Sequence, residues 1–299
     1  MLFASSKRMS TPEAIARSEH LGLKKPVPHV EHKWDSLQKF NFVLFVVHLI
    51  LTIVFTIYFR KIFDDSKGPT GINLGLYDHI FKLDPTQNTF DVLSQQTSYI
   101  GESTLSSLIV TFFAITASFH LFYALNPRGL YLKAVENGNN YFRWMEYSVT
   151  ATMMLFIIAV LSGVKDVKNY FMIVTSAIGM IWTGQWFETS TGVSRWLPIA
   201  TGFILLLGVF ITIYTSFNDR ISEAREAGVE IPSWLYLTVI IMFVFYASFG
   251  FVPVASTIFG GDYRKYEFVY LSLSLASKAT LGMLVAYGFG QRVKASQAS

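Results

Sequence analysis

The 299-residue sequence lacks cysteine and contains few charged residues. Without cysteine the chain has no disulfide bond, no thiolate metal ligand and no thiol nucleophile, and no metal site is predicted. Charged residues make up 15% of the sequence, whereas soluble domains contain roughly 25%. Hydrophobic residues make up 52%. This composition is typical of a membrane protein.

The sequence also lacks the signatures of nucleic-acid binding and of common enzymes. Its net charge is +4, but the basic residues lie in the N-terminal segment and between apolar runs, without a basic stripe interleaved with aromatics. That placement suits contact with the anionic head groups of membrane lipids. No Walker loop, HExxH, GxSxG or kinase motif occurs. We therefore expect membrane lipids as partners, no nucleic acid and no enzymatic activity.

Seven apolar runs are each long enough to cross a bilayer as a helix, which takes about 20 residues. They predict an all-α membrane protein built as a bundle of seven transmembrane helices. The predicted spans are 39–59, 104–125, 140–162, 169–188, 195–217, 232–256 and 266–291. The transmembrane domain therefore covers 39–292, between an N-terminal arm, 1–38, and a C-terminal tail, 293–299.

Two polar segments flank the first predicted span. Residues 1–38 contain no apolar stretch behind a short charged start, so we expect no cleaved signal peptide. This arm is either a solvated flexible tail or an amphipathic lead-in to the first span. Residues 60–103 alternate polar stretches with short apolar patches, which favours a β-hairpin lid over a flexible linker. A small excess of Lys and Arg near the span ends predicts a cytoplasmic N-terminus and an extracellular C-terminus.

Lys278 is the most informative charged residue of the predicted spans. It lies roughly 20 Å from either end of the seventh span, at 1.5 Å per residue. A charged amine at that depth is costly unless it has a partner, so such residues usually have a function. One interpretation is a structural ion pair with another helix. The other is an amine that forms a Schiff base with an aldehyde cofactor and needs a carboxylate to keep its proton.

The third span supplies that carboxylate as Glu146. Arg143 precedes Glu146 by three residues and shares its helix face, so we expect the two to pair inside the span, or at the membrane interface if the helix starts there. Trp144 either packs in the core or forms one wall of a flat cofactor slot. Glu188, at the end of the fourth span, is either an interfacial residue or a group on a proton path.

Two histidines lie inside predicted spans, His48 in the first and His120 in the second. Intramembrane histidines often only bond neighbouring helices, but two on adjacent helices indicate a polar cavity. Thr116 lies one turn before His120, and Ser274 lies one turn before Lys278. These side chains are therefore predicted to extend a hydrogen-bond chain from the amine, in which the histidines take up a proton transiently.

The segments RWMEYS at 143–148 and LSLASKATLG at 273–282 together resemble the heliorhodopsins, and the resemblance covers all seven spans. It implies a rhodopsin-type bundle with all-trans retinal bound covalently to Lys278 as a Schiff base and Glu146 as the counterion. Heliorhodopsins isomerise retinal in light and run a slow photocycle. The resemblance also implies a cytoplasmic N-terminus and a homodimer in which the loop at 60–103 covers part of the neighbouring subunit. That loop and the N-terminal arm are long for the family.

The resemblance assigns roles to several more residues. Ser274 lies near the Schiff base, and Arg143, His48, His120 and Thr116 belong to the proton network. The residues implied to flank the chromophore are Trp144, Tyr147, Phe243 and Tyr246.

Three functions remain open from the sequence. The main hypothesis is light sensing that signals to an unidentified partner. The second is light-gated or light-driven proton transport, in which Glu188 takes part. The third is a retinal-free seven-helix carrier in which Lys278 pairs with Glu146 only structurally.

Overall fold

The computed structural model describes residues 34–65, 74–84, 89–100 and 102–298. These ranges contain seven long α-helices, one short α-helix, two strands and two 3₁₀ helices, Pro127–Gly129 and Gly192–Arg195. The helices are α1 (Ser36–Asp65), α2 (Glu102–Leu125), α3 (Leu130–Glu136), α4 (Tyr141–Leu161), α5 (Val167–Thr189), α6 (Trp196–Glu226), α7 (Ser233–Phe259) and α8 (Tyr263–Ala298). Most of the predicted N-terminal arm lies outside the described residues. The predicted C-terminal tail is helical as far as Ala298.

Six of the long helices are apolar and long enough to cross a membrane, which makes the chain a multi-pass integral membrane protein. The helix outside this set is α5, the fourth predicted span. Tyr170, Gln185 and Glu188 lower its mean hydropathy, but its outer face carries exposed apolar side chains such as Phe171 and Met172. The seven-helix bundle is therefore present, although hydropathy alone recognises six of its members.

The connection between α1 and α2 contains a two-stranded antiparallel sheet, β1 (Leu74–Asp84) and β2 (Thr89–Ile100). The register runs from Leu74 opposite Ile100 to Asp84 opposite Thr89, with one irregularity between Leu76 and Tyr77. The hairpin predicted from the alternating apolar patches within 60–103 is therefore present. Its action as a lid stays a prediction.

The long helices form a closed ring in which α4 lies between α2 and α5. Helices adjacent in sequence pack side by side, and α1 packs against α8 to close the ring. In the apolar stretch of α4, 67% of the residues are buried, against 22% in α1 and 44% in α8. Because α4 is the most buried of these six helices, its polar residues Arg143, Glu146 and Thr150 face other helices. This position places Arg143 and Glu146 inside the bundle.

Short turns bring alternate helix ends together at what we call the N-terminal end of the bundle. There the side chain of Gln38 donates to the carbonyl of Ala124 at 2.9 Å. The hydroxyl of Tyr263, at the start of α8, accepts from the backbone amide of Asn140 at 3.1 Å. Asn126 adopts a left-handed conformation that ends α2, and its side chain accepts from the amide of Tyr131 at 2.9 Å. These contacts hold the start of α1 against the end of α2, and the start of α4 against the start of α8.

Candidate functional site

Lys278 lies in the middle of α8, and its amine is buried against α4. Nζ is 2.9 Å from Oε1 of Glu146 and also donates to Oγ of Ser274 at 2.8 Å. Lys278 is 2% exposed and Glu146 is 1% exposed. Removing one partner of such a buried pair leaves an uncompensated charge, at a cost of about 3–5 kcal/mol. Each charge therefore requires the other.

An apolar cavity begins at Lys278 and is lined by α4, α5, α6, α7 and α8. Its lining is mainly aromatic and aliphatic, and Lys278 is the charged residue among the described residues that line it. Small-molecule sites in proteins combine apolar walls with few polar groups. The cavity therefore suits an apolar ligand that reaches the amine of Lys278.

Aromatic rings form the walls of this cavity. Trp144 meets Tyr147 edge-on at a centroid distance of 6.2 Å, and Tyr147 meets Phe249 in the same way at 5.6 Å. The hydroxyl of Tyr147 donates to the carbonyl of Tyr270 at 3.1 Å, and that of Tyr246 donates to the carbonyl of Ala151 at 2.6 Å. Because these hydroxyls already have backbone partners, the rings offer apolar surface to a ligand.

The two predicted histidines lie next to each other, with ring centroids 4.9 Å apart. Nδ1 of His48 donates to the carbonyl of Leu44 at 2.8 Å, and Nδ1 of His120 lies 2.8 Å from Oδ1 of Asn41. Both rings are buried and interact electrostatically with Lys278. Thr116 is buried one turn from His120, but its hydroxyl has no hydrogen-bond partner in the described part of the chain. The structure therefore joins the histidines, and it does not bring Thr116 into their hydrogen-bond chain.

A second group of buried charges lies nearer the N-terminal end of the bundle. The guanidinium of Arg143 forms ion pairs with both Glu188 and Glu267. Asn140 adds hydrogen bonds to both acids, from its backbone amide to Glu188 at 3.0 Å and from its side chain to Glu267 at 2.9 Å. The hydroxyl of Tyr263 donates to Glu188 at 2.8 Å. We call Arg143, Glu188 and Glu267 the arginine cluster; it holds two carboxylates and one cation.

Aromatic rings enclose the arginine cluster. The guanidinium carbon of Arg143 lies 3.9 Å from the ring centroid of Tyr270 and 4.7 Å from that of Trp144. The indole nitrogen of Trp144 donates to Glu188 at 2.9 Å. Trp144 therefore belongs to the cavity wall and to the arginine cluster, and it links the two.

Residues 37–289 match the sequence model of the heliorhodopsins. The chain belongs to the heliorhodopsin family. No curated protein sequence matches it. Family membership supports a retinal protein that uses a lysine, and among the residues whose burial the structure describes the buried lysine is Lys278.

Solved rhodopsins share the fold of this heliorhodopsin. The light-driven proton pump from Leptosphaeria maculans is 14% identical, with 87% of this chain and 98% of that chain covered and a TM-score of 0.60. The proton pump from Coccomyxa subellipsoidea is 16% identical, with 86% and 98% covered and a TM-score of 0.58. The transmembrane and linker region of the Salpingoeca rosetta rhodopsin phosphodiesterase is 13% identical, with 96% and 78% covered and a TM-score of 0.62. Identities this low show the fold alone.

Three expectations from the sequence were wrong in this heliorhodopsin. Arg143 does not pair with Glu146: in the described residues its ion pairs are with Glu188 and Glu267, while Glu146 pairs with Lys278. Glu188 is not an exposed interfacial residue, since its side chain is only 3% exposed. Phe243 does not line the cavity; it is 36% exposed and contacts Phe210 of α6.

Glu267 is the charged site residue that sequence reasoning missed. It lies at the edge of the predicted seventh span, where acids are usually interfacial, yet it is fully buried. Glu267 precedes Lys278 by 11 residues, about three helical turns at 3.6 residues each. That spacing places both on one face of α8, a signal that the sequence did contain.

Proposed function

We propose that this heliorhodopsin is a retinal-binding photoreceptor whose slow light-driven cycle transmits a signal. The observation that carries the proposal is the buried amine of Lys278, paired with one carboxylate at the end of an apolar, aromatic-walled cavity. Family membership and the shared rhodopsin fold support the same conclusion.

The residues of the cavity fit retinal. Lys278 would hold it through a Schiff base, because this amine is the primary amine among the described lining residues. Trp144, Tyr147 and Tyr246 would flank the polyene. Bound all-trans retinal supplies light absorption and isomerisation to the 13-cis form. Phe243 is left out of this assignment because it does not line the cavity.

The chain's own residues control the proton at Nζ of Lys278. Glu146 stabilises the positive charge at 2.9 Å, and the hydroxyl of Ser274 accepts a hydrogen bond at 2.8 Å. The buried aromatic walls exclude water, which strengthens this ion pair relative to one in solvent. His48 and His120 are basic groups that would receive the proton when it leaves Nζ.

An absorption spectrum of protein expressed with all-trans retinal tests the proposal. We expect a visible band that hydroxylamine bleaches and that Lys278→Ala lacks. Lys165→Ala is the matched control, because this lysine forms an exposed ion pair with Glu223 and should keep the band. A colourless wild type, or colour that persists in Lys278→Ala, would overturn the proposal and leave the retinal-free carrier in its place.

Proton transport is a second candidate, favoured by the surplus acid of the arginine cluster. Two buried carboxylates share one cation near the N-terminal end of the bundle, so the cluster has room for a proton. Light-induced currents under voltage clamp that disappear in Glu188→Gln would support transport. Membranes that stay silent while a long-lived photoproduct forms would support sensing.

We also propose a cytoplasmic N-terminus and a homodimer, with the signalling partner unidentified. The natural chain has no cysteine, so a single introduced thiol reports orientation. Val193 lies in the turn before α6 and is 86% exposed, and Val229 lies at the opposite end of the bundle and is 61% exposed. In intact cells a membrane-impermeant maleimide should label Val229→Cys and leave Val193→Cys unlabelled. The reverse pattern would contradict the orientation, and a monomer in cross-linking would contradict the dimer.

A further inference from the structure

Asn41 of α1 stands between the histidine pair and the arginine cluster. It is fully buried, and each atom of its side-chain amide has a partner. Nδ2 donates to the carbonyl of Leu37 at 2.9 Å and to the hydroxyl of Tyr131 at 3.1 Å. Oδ1 lies 2.8 Å from Nδ1 of His120. Asn41 therefore joins three helices, α1, α2 and α3.

These partners fix the orientation of the Asn41 amide. A backbone carbonyl only accepts hydrogen bonds, so the atom that faces Leu37 is the donor Nδ2. The atom that faces His120 is then Oδ1, which only accepts. Nδ1 of His120 must therefore carry a hydrogen. In a neutral imidazole the other nitrogen, Nε2, then has a free lone pair.

His48 is held in the same tautomer by a different acceptor. Its Nδ1 faces the carbonyl of Leu44, which also only accepts. Nε2 of His48 and Nε2 of His120 are both buried, and neither has a hydrogen-bond partner in the part of the chain that the structure describes. The pair thus presents two basic nitrogens inside the bundle.

The hydrogen bonds on the other side of Asn41 run toward a negative charge. Because Nδ2 donates to the hydroxyl of Tyr131, that hydroxyl donates onward to Oε1 of Glu267, 3.2 Å away. From His120 to Glu267, every bond therefore donates in one direction. This series of hydrogen bonds ends in the arginine cluster, where the charge of Arg143 balances only one of the two carboxylates. A positive charge on His120 would be stabilised by this arrangement.

Several charged and titratable groups surround the hydrogen bonds that run from His120 to Glu267. They are Lys278, His48, Tyr123, Glu146, Arg143, Glu188 and Tyr263.

We propose that Asn41 is a positioning residue that locks His120 as the Nδ1–H tautomer, so that Nε2 can receive a proton, and that Asn41 and Tyr131 couple the resulting charge to Glu267. The second half rests on the proposed function, because the proton comes from Nζ of Lys278. On transfer the N–H bond at Nζ breaks, its electron pair stays on that nitrogen, and a new N–H bond forms at Nε2. The tautomer itself depends on neither light nor retinal.

Nitrogen NMR of protein labelled at its six histidines tests the tautomer in the dark, with and without retinal. His120→Gln identifies the His120 signals. We expect wild-type His120 to be neutral with hydrogen on Nδ1. Asn41→Leu should move the hydrogen to Nε2 in a large fraction of molecules, whereas Asn41→Asp should restore Nδ1–H because a carboxylate oxygen also accepts. Hydrogen on Nε2 of His120 in the wild type would overturn the proposal.

Gln38→Leu is the matched control for the tautomer. It removes another buried amide from the same helix, one turn away, whose side chain bonds Ala124. His120 should keep hydrogen on Nδ1 in this variant. If Gln38→Leu moves the hydrogen as Asn41→Leu does, general loosening of α1 explains the effect and the lock is refuted.

Flash photolysis of the retinal-loaded protein tests the coupling to Glu267. Tyr131→Phe keeps the lock and removes the link, and hydrogen bonds to charged groups change equilibria by roughly tenfold or more. We expect about a tenfold loss of the state with a deprotonated Nζ, with the histidine tautomer unchanged. An unchanged yield would overturn the coupling. Colourless protein in which His120 still carries hydrogen on Nδ1 would refute the proposed function and uphold the lock.

Discussion

Gly184 of α5 makes room for the indole of Trp144, and filling that space should destabilise the bundle. A Cβ added at Gly184 would lie 2.2 Å from the indole ring, whereas carbon atoms in contact stay about 3.5–4.0 Å apart. Gly184→Ala therefore displaces the indole or the helix by roughly 1.3 Å or more. Overpacking of this kind costs about 1–3 kcal/mol. The displacement also disturbs the bond from the indole nitrogen to Glu188.

Thermal unfolding in one detergent, without retinal, measures this cost. Gly208 of α6 supplies the control, because no atom lies within 4 Å of a Cβ added there. Gly208→Ala should be neutral or gain up to about 1 kcal/mol, since alanine is the better helix former. Trp144→Leu combined with Gly184→Ala should lose less stability than the sum of the single changes, because the two positions are in contact. Equal melting temperatures for Gly184→Ala and Gly208→Ala would refute the argument.

Other predictions concern the two sets of buried charges. Glu146→Gln should shift the absorption band to the red, because a weaker counterion lowers the excitation energy; an unmoved band would exclude Glu146 as the counterion. Arg143→Gln should lower the free energy of unfolding by about 3–5 kcal/mol, since two buried carboxylates lose their cation. Glu267→Gln should cost less than Arg143→Gln, because Glu188 still balances the arginine. Denaturant titrations compare the two, and the opposite order would contradict the charge count of the arginine cluster.

The pairing of Lys278 with Glu146 was predictable from depth alone. A lysine in the middle of an apolar span must find an acid, and Glu146 was the acid at a comparable depth in another span. The structure joins the two at 2.9 Å. The hairpin was also predictable, because short apolar patches separated by polar stretches in 60–103 favoured strands over a flexible linker.

The partners of Arg143 were not predictable from spacing along one helix. Residues three apart share a face, which made Glu146 a candidate, but side chains from α5 and α8 compete for the same guanidinium. Glu188 and Glu267 form the ion pairs with Arg143 because their helices lie next to the start of α4. Which helices surround α4 depends on the packing of the whole bundle.

The cavity and the role of Asn41 also lie beyond sequence reasoning. Five helices contribute to the cavity wall, and side chains of similar character elsewhere on them, such as Phe243, face outward. Asn41 lies in an apolar run and carries no charge, so nothing in its neighbourhood marks it. Its importance follows from the hydrogen-bond partners that the fold brings to its side chain.

The ion pairs between α4 and α8 also fix the position of these two helices along each other. Near its start α4 carries a cation and then an anion, at Arg143 and Glu146, and α8 carries the opposite order, at Glu267 and Lys278. Sliding α8 along its axis by one turn, about 5.4 Å, would stretch both attachments at once. A shift of α8 at Lys278 would therefore also strain the ion pair of Glu267, because both residues lie on one continuous helix.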